Sequence, residues 1–388
     1  MEPLPGDRGH ALLVSGAIGL GHDAMAQACA ASLFSRGWST RTADAMRLLG
    51  RRASGAGEQV FRSMLAVPGL YDAFYFAALR PGNRLALLTD AAARRRIVPA
   101  LTRILDQKPT DLVISVFATG ASAVSAVAER YPAMRHVVFC ADATPHRLWV
   151  QPHVDMYLVT SRVAECAVRR FAPQAEVRIV PPPVRAAFRP PPSRTRARDT
   201  LGIPARSRCV LVMSGGWGLG PLAEVASALA DAGVHVLAVA GRNIRLEAAL
   251  RAAARRQPAI RAFGYTDRIP ELMAASDLVI TSSGSTCAEA RAVGRPLLIL
   301  DVVPGHGRDN CQHELEMGHA GVTSANPGAV VASMLAALAG PPGPSGPAAP
   351  GGAAPEGPAR SPDDWEAAFS AVLAALHLPD PAPTGTRP

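Results

Sequence analysis

At 388 residues the chain is long enough for two domains with separate cores, and its 48% hydrophobic content excludes a disordered or fibrous protein. A net charge of +9 raises nucleic acid as a partner, but Lys108 is the only lysine. The arginines lack the aromatic interleaving of single-strand binders, so no nucleic-acid partner is expected. No apolar run reaches the roughly 18–20 residues of a bilayer span. Met1–His10 lacks the basic and apolar regions of a signal peptide. Six cysteines without a C-x-x-C pair suit a reducing compartment. Together these predict a cytoplasmic protein, with a basic face available for peripheral contact with anionic lipid at the inner side of the cell membrane.

The first half alternates strand and helix signals. Ala11–Ser15 reads as a strand and Asp23–Arg36 as a helix. Between them the loop Gly16 to Gly21 ends in His22. It does not follow the G-x-G-x-x-G order of a dinucleotide site. A histidine at such a junction suits proton abstraction from a hydroxyl, or it is a surface helix cap. Thr40–Ala43 is a short strand, and Glu58–Leu79 is apolar and aromatic, with Tyr71 and Phe74. Asp111–Ser115, His136–Cys140 and Met156–Thr160 are further strands. Asp142 and His146, followed by Trp149, end one of them. They either orient groups in a cleft or form a structural pair. Pro181-Pro182-Pro183 and the Pro/Arg-rich Phe188–Arg198 suit an extended linker.

The second half repeats the pattern, with strands at Cys209–Met213, Val234–Ala240, Ile260–Phe263, Leu278–Thr281 and Leu297–Leu300. Helices are expected at Leu222–Asp231, Leu246–Arg255 and Asn310–Gly318. Gly215 and Gly216 lie in a glycine loop where backbone can approach phosphate. Gly241-Arg242-Asn243 lacks the acid that a nicotinamide cofactor requires at that point. Gly284, Ser285 and Thr286 lead from a buried strand into a helix, whose first amides attract a diphosphate. Glu289, one turn in, is placed to accept hydrogen bonds from ribose hydroxyls, or it is a solvated first-turn acid. His306 and Asn310 follow the last strand, where a donor sugar is read. His306 and His313 are too far apart for a simple helical metal pair, so no metal is expected. Gly340–Arg360 has the composition of a disordered segment, and Trp365–Leu376 that of a helix docking back onto the protein.

Taken as an ordered set over Leu12 to Ala337, these motifs resemble the monogalactosyldiacylglycerol synthase and processive diacylglycerol glycosyltransferase group of glycosyltransferase family 28. The set includes His22, Asp142, His146, Trp149, Asp155, Tyr157 and Pro183-Val184-Arg185 with Phe188. It continues through Gly215 to Gly218, Gly241-Arg242-Asn243, Gly264-Tyr265, Gly284 to Glu289, and Pro304-Gly305 with Asn310. The resemblance implies a GT-B fold, two Rossmann-like domains with parallel sheets facing a cleft. It divides the chain into an acceptor domain (1–188), a linker (189–204), a nucleotide-sugar domain (205–340), a low-complexity segment (341–361), a C-terminal helix (362–378) and a tail (379–388). It also implies inversion at the anomeric carbon, no cofactor and no metal. By it, Gly264 and Tyr265 lie beside the base, while Gly21, His146, Trp149, Tyr71 and Phe74 fall on the acceptor side. Two departures stand out. His306-Gly307 replaces a Gln-Glu pair of the relatives, and the usual Lys-Pro before the glycine loop is absent, with the loop one residue shorter, both on the side that reads the donor sugar.

The activity so implied is transfer of a hexose from a UDP-sugar to a hydroxyl of a lipid or other small molecule, with His22 as base and Asp142 as its support. A UDP-GlcNAc 2-epimerase-like isomerase and a non-catalytic nucleotide-sugar-binding subunit are the alternatives.

Overall fold

A computed structural model describes residues 8–16, 21–50, 69–316, 321–339 and 363–380. The chain divides into two compact units, residues 1–183 with 360–388, and residues 184–359. Each is built on a six-stranded parallel sheet. In the first unit the strands are β1 (His10–Ser15), β2 (Ser39–Asp44), β3 (Leu112–Ser115), β4 (Arg135–Phe139), β5 (Met156–Val159) and β6 (Val177–Ile179), in the order β2-β1-β3-β4-β5-β6. The apolar runs of β1, β3, β4 and β5 follow from burial on both faces, whereas the edge strands β2 and β6 are more polar and partly exposed. Leu13, Ile114 and Val137 pack on one side, and Leu12, Val14 and Val113 on the other. The helices are α1 (Gly21–Phe34), α2 (Ala45–Leu48), α3 (Leu70–Phe74), α4 (Arg84–Gln107), α5 (Ala118–Ser125) and α6 (Arg162–Phe171).

The second unit holds α7 (Arg194–Thr200), β7 (Cys209–Met213), α8 (Leu222–Asp231), β8 (His235–Val239), α9 (Ile244–Arg256), β9 (Ile260–Phe263) and α10 (Ile269–Ala275). It continues with β10 (Leu278–Thr281), α11 (Ser285–Ala292), β11 (Leu297–Leu300), α12 (His306–Glu316), β12 (Gly321–Thr323) and α13 (Pro327–Ala339). Its sheet runs β12-β11-β10-β7-β8-β9, the doubly wound order. In both sheets the winding reverses beside the first strand, between β1 and β3 and between β7 and β10. Ligands of open parallel sheets collect beyond the strand C-termini at such points.

Three expectations change. The expected linker, 189–204, belongs to the second unit, and the units divide at Pro183 and Val184. Its residues 194–200 are α7, and Phe188, Ala197, Leu201 and Ile203 enter the core. The Pro/Arg composition hides this, because Arg198 is buried and its guanidinium bonds the carbonyls of Ala275, Pro204, Ala205 and Ser207. The helix expected from Asn310 starts one turn earlier, at His306. The expected tail is fastened at its start: Trp38 Nε1 donates to the Pro379 carbonyl at 3.1 Å, and Arg36 pairs with Asp380 at 2.9 Å. Residues 381–388, the low-complexity segment 341–361 and residues 58–68 of the aromatic stretch lie outside the described residues.

The C-terminal helix α14 (Asp363–Ala375) docks on the first unit. Trp365 stacks on Phe139 and Phe369 with ring centroids 5.8 and 4.8 Å away, and its indole N–H donates to Ser32 Oγ at 2.8 Å. The buried Arg36 binds Glu366 at 2.6 Å and lies over the Phe369 ring. Among the described residues no helix is long and apolar enough to cross a membrane.

His136 on β4 ties two strands together as a buried neutral imidazole. Its Nδ1 donates to the His153 carbonyl at 3.3 Å, and its Nε2 accepts from Ser115 Oγ at 3.0 Å. Burial depresses its pKa to about 4. The unfolded chain therefore takes up a proton near pH 6.5, which the folded chain refuses until about pH 4. Stability contributed by this group is full above pH 6.5 and is lost as pH falls toward 4, by about 3 kcal/mol in all. Urea midpoints of wild type and His136→Asn between pH 7 and 4 check this, and the variant should show a flatter acid limb.

Candidate functional site

In the second unit every expected donor residue lies at the C-terminal edge of the sheet. The β7–α8 loop carries Gly215 and Gly216, and the β8–α9 loop carries Arg242. These loops lock together through backbone, with the Arg242 N–H donating to the Gly216 carbonyl at 2.8 Å. Gly241 has φ 61°, and a Cβ there would lie 2.7 Å from the Gly216 oxygen, so only glycine allows this approach. Asn243 caps α9 by accepting from the Leu246 N–H at 3.0 Å. Its amide donates to the carbonyls of Trp217 and Gly218 at 3.3 and 3.2 Å, which fixes the glycine loop from below. Gly264 and Tyr265 follow β9, and the Arg242 guanidinium lies 5.1 Å from the centre of the Tyr265 ring. That ring is 63% exposed, an open aromatic face at the sheet edge.

Gly284 delivers β10 into α11, and as the residue before the helix it offers no side-chain cap. The first amides, at Ser285 and Thr286, therefore lack the side-chain acceptor that usually satisfies a helix start. Close by, the hydroxyls of Ser214 and Thr281 are buried with no hydrogen-bond partner among the described residues. They end β7 and β10, the two strands that flank the reversal.

Glu289 is the central finding. It is only 6% exposed, so it is not a solvated first-turn acid. Arg185 donates to its Oε1 from Nε at 2.8 Å and from a terminal nitrogen at 2.7 Å. Burial pushes the Glu289 pKa up, and the Arg185 charge and hydrogen bonds pull it back. The Arg185 guanidinium also lies 5.1 Å from the centre of the Phe188 ring. Arg185 stands 104 positions from its partner, and its only sequence signal is the Pro183-Val184-Arg185 turn.

Next to this, α12 brings His306 and Asn310 onto one face, a helical turn apart. Ser283 Oγ donates to the Gly307 carbonyl at 2.8 Å, and Arg291 pairs with Glu314 at 2.5 Å, so α12 is held both to α11 and to the loop before it. Gly307 packs against Val303, where a Cβ would approach to 2.4 Å. Thus the His306-Gly307 departure comes with a closer contact that leaves no room for a side chain. Gly307→Glu should cost about 1–3 kcal/mol, the penalty of overpacking, and it should not restore a sugar contact. A thermal melt with a parallel donor titration measures both.

The first unit has its own cluster at the reversal between β1 and β3. Gly21 opens α1 and His22 follows it. His22 Nδ1 lies 2.6 Å from the Val116 carbonyl at the end of β3. A carbonyl only accepts, so Nδ1 carries the proton, and in the neutral ring Nε2 is the basic nitrogen. Phe117 packs edge-on against the His22 ring at 5.2 Å, and Trp149 lies at 6.3 Å. The Trp149 indole donates to Asp142 Oδ2 at 2.8 Å, and His146 Nε2 lies 4.0 Å from the same oxygen. His146 also accepts from the Leu148 N–H at 3.3 Å. Asp142 thus fixes Trp149, with His146 beside it, while the Val116 carbonyl orients His22. Tyr71 is buried near them, and burial together with the charges of Asp142 and Asp72 raises its pKa. Tyr75 sits edge-on to His146 at 6.2 Å, and Phe74 is half-buried. Of the expected acceptor-side residues, Tyr71, His146 and Trp149 gather around Asp142 and His22, Gly21 precedes His22 on α1, Phe74 lies beside Tyr75 in the chain, and Phe117 is an addition. Among the described residues no group of three or more His, Cys, Asp or Glu side chains could hold a metal ion.

Residues 220–326 match the glycosyltransferase family 28 C-terminal domain. The chain is 29% identical over 180 residues to the processive diacylglycerol beta-glucosyltransferase of Bacillus pumilus, covering 45% of this chain and 47% of that one. It is 31% identical over 211 residues to the probable chloroplastic monogalactosyldiacylglycerol synthase of Nicotiana tabacum, covering 51% and 39%. The matched stretches thus span less than half the length of these relatives. Arabidopsis thaliana UGT89C1 complexed with UDP superimposes with a TM-score of 0.60 over 96% of this chain and all of that one, at 12% identity, a likeness of fold. The chain has the GT-B fold and carries a glycosyltransferase family 28 C-terminal domain, and over about half its length it is similar to diacylglycerol glycosyltransferases.

Proposed function

We propose that the chain is an inverting glycosyltransferase that moves a hexose from a UDP-sugar to a hydroxyl of a lipid or secondary-metabolite acceptor, without a metal ion. One observation carries the assignment: an uncapped helix start and a buried, arginine-paired glutamate share the winding reversal of the second sheet. The amides at Ser285 and Thr286 and the positive helix end would hold the diphosphate and stabilise it as the leaving group. Both bonds from Arg185 fall on Glu289 Oε1, which leaves Oε2 to accept from ribose hydroxyls. The Tyr265 face, backed by Arg242, would take the base. His306 and Asn310 are the side chains nearest to hand for the sugar.

His22 would take the proton of the acceptor hydroxyl on Nε2 while Nδ1 stays bonded to Val116. Direct attack from an α-linked donor then gives a β-linked product. The similarity to a processive diacylglycerol beta-glucosyltransferase and to a monogalactosyldiacylglycerol synthase favours a lipid acceptor. So does the first unit's surface, where Leu70, Phe76, Leu85, Leu87 and Leu88 are exposed beside Arg80 and Arg84. Such a surface suits peripheral contact with anionic lipid.

A panel of UDP-sugars assayed for UDP release, with and without a lipid extract and with excess EDTA, tests the proposal. Acceptor-dependent release that survives EDTA is expected. Sugar isomerisation without an acceptor would point to the epimerase alternative, and no turnover of any donor would favour a binding subunit.

A further inference from the structure

The arginine-rich stretch at residues 189–208 plays no part in the site above. It holds six arginines and one acid, Asp199. Two of them, Arg194 and Arg198 on α7, converge on the carboxylate of Asp277 just before β10. Arg198 reaches Oδ2 at 2.8 Å, and the same oxygen accepts from the Cys209 N–H at 2.9 Å. A third arginine joins them through the sheet. The parallel register sets Val279 of β10 beside Leu297 of β11, so two residues earlier Asp277 and Arg295 are neighbours at the strand starts. Arg295 is half-buried, and its Nε is buried with no hydrogen-bond partner among the described residues. One carboxylate, already accepting from two guanidinium groups and an amide, therefore faces three positive charges. Burial lowers the Arg295 pKa, and the charges of Arg194 and Arg198 push it the same way against Asp277.

We propose that Arg295 and Arg194 bind a phosphate-type oxyanion at the foot of the second sheet, at the strand ends opposite the donor site. The half-buried Arg295 presents the terminal nitrogens of its guanidinium, not its buried Nε, in the planar geometry that grips two phosphate oxygens, and it remains charged there. Arg198 is committed to four backbone carbonyls and serves as the fixed wall of the site. Arg194 is 41% exposed and supplies a movable second donor at the mouth. The oxyanion balances the excess charge that Asp277 leaves, and it comes either free in solution or as the headgroup of an anionic lipid.

The test uses the full chain in two arms, titration with inorganic phosphate followed by calorimetry, and flotation with phosphatidic acid in phosphatidylcholine vesicles. Wild type is compared with Arg295→Gln, so that phosphate held at the donor site cancels between them. Arg194→Gln, a change at an exposed position, covers the case in which the first variant fails to fold. Phosphate affinity about tenfold weaker in the variants is expected, the loss typical of one charge-assisted contact. A response to phosphatidic acid vesicles alone, lost in the variants, supports the site and identifies a lipid headgroup as the source. Equal behaviour of wild type and variants in both arms, or no response from wild type in either, overturns it.

Discussion

Replacing His22 with alanine should lower turnover by about 10²–10⁴-fold while leaving UDP affinity unchanged, the range general-base catalysis supplies. His22 stands in the first unit, and its Nδ1 is committed to the Val116 carbonyl, which fixes both ring orientation and tautomer. Every group proposed to touch the nucleotide belongs to the second unit. The loss should therefore appear in turnover and not in nucleotide binding. If His22 were only a residue of the first helical turn, the change would instead cost about 1 kcal/mol of stability with turnover per folded molecule intact. Steady-state rates measured beside thermal melts separate the two outcomes.

The second large effect falls on the nucleotide. Glu289→Ala should weaken UDP binding by about 1.5–3 kcal/mol, the value of hydrogen bonds to a charged group, with a smaller change in the chemical step. Arg185 acts on the ligand through Glu289, because it holds one carboxylate oxygen and its charge opposes the rise in pKa that burial causes. Arg185→Met should therefore weaken UDP binding as well, and the double variant should be little worse than Glu289→Ala alone. Calorimetry on the four proteins closes the cycle. Independent, additive losses would show that Arg185 meets the nucleotide on its own account, and unchanged affinity in Glu289→Ala would remove it from the site.

The sheets were legible in the sequence because their strands are buried on both faces. The buried strands Cys209–Met213, Leu278–Thr281 and Leu297–Leu300 are expected and found with the same bounds, as is the partly exposed edge strand Ile260–Phe263. The edge strands β6 and β12, three residues each, are too short and too polar to give a periodic signal. Long α4 was not anticipated: it carries Arg94-Arg95-Arg96 and an internal proline, Pro99, both of which read as breaks. Composition concealed α7 in the same way, since its buried arginine bonds backbone rather than water.

At the site, single-chain signals marked the loops but not their partners. The glycine loops, the α11 start and His22 follow from local pattern. The Arg185–Glu289 pair, the Val116 contact of His22 and the commitment of Asp142 to Trp149 join residues that only the fold brings together. The winding reversal was equally invisible before strand order was known, yet it is what places each cluster.

Hydrogen exchange of the full chain with and without UDP tests the central claim most directly, because it maps the nucleotide without assuming a sugar or an acceptor. Protection is predicted in the loop after β7, around Gly215 and Gly216, at Gly241 to Asn243, and through the first turn of α11 to Glu289. The first unit, including His22 and Trp149, should exchange at the same rate in both samples. Protection absent from α11, or confined to the first unit, would contradict the assignment of the donor site.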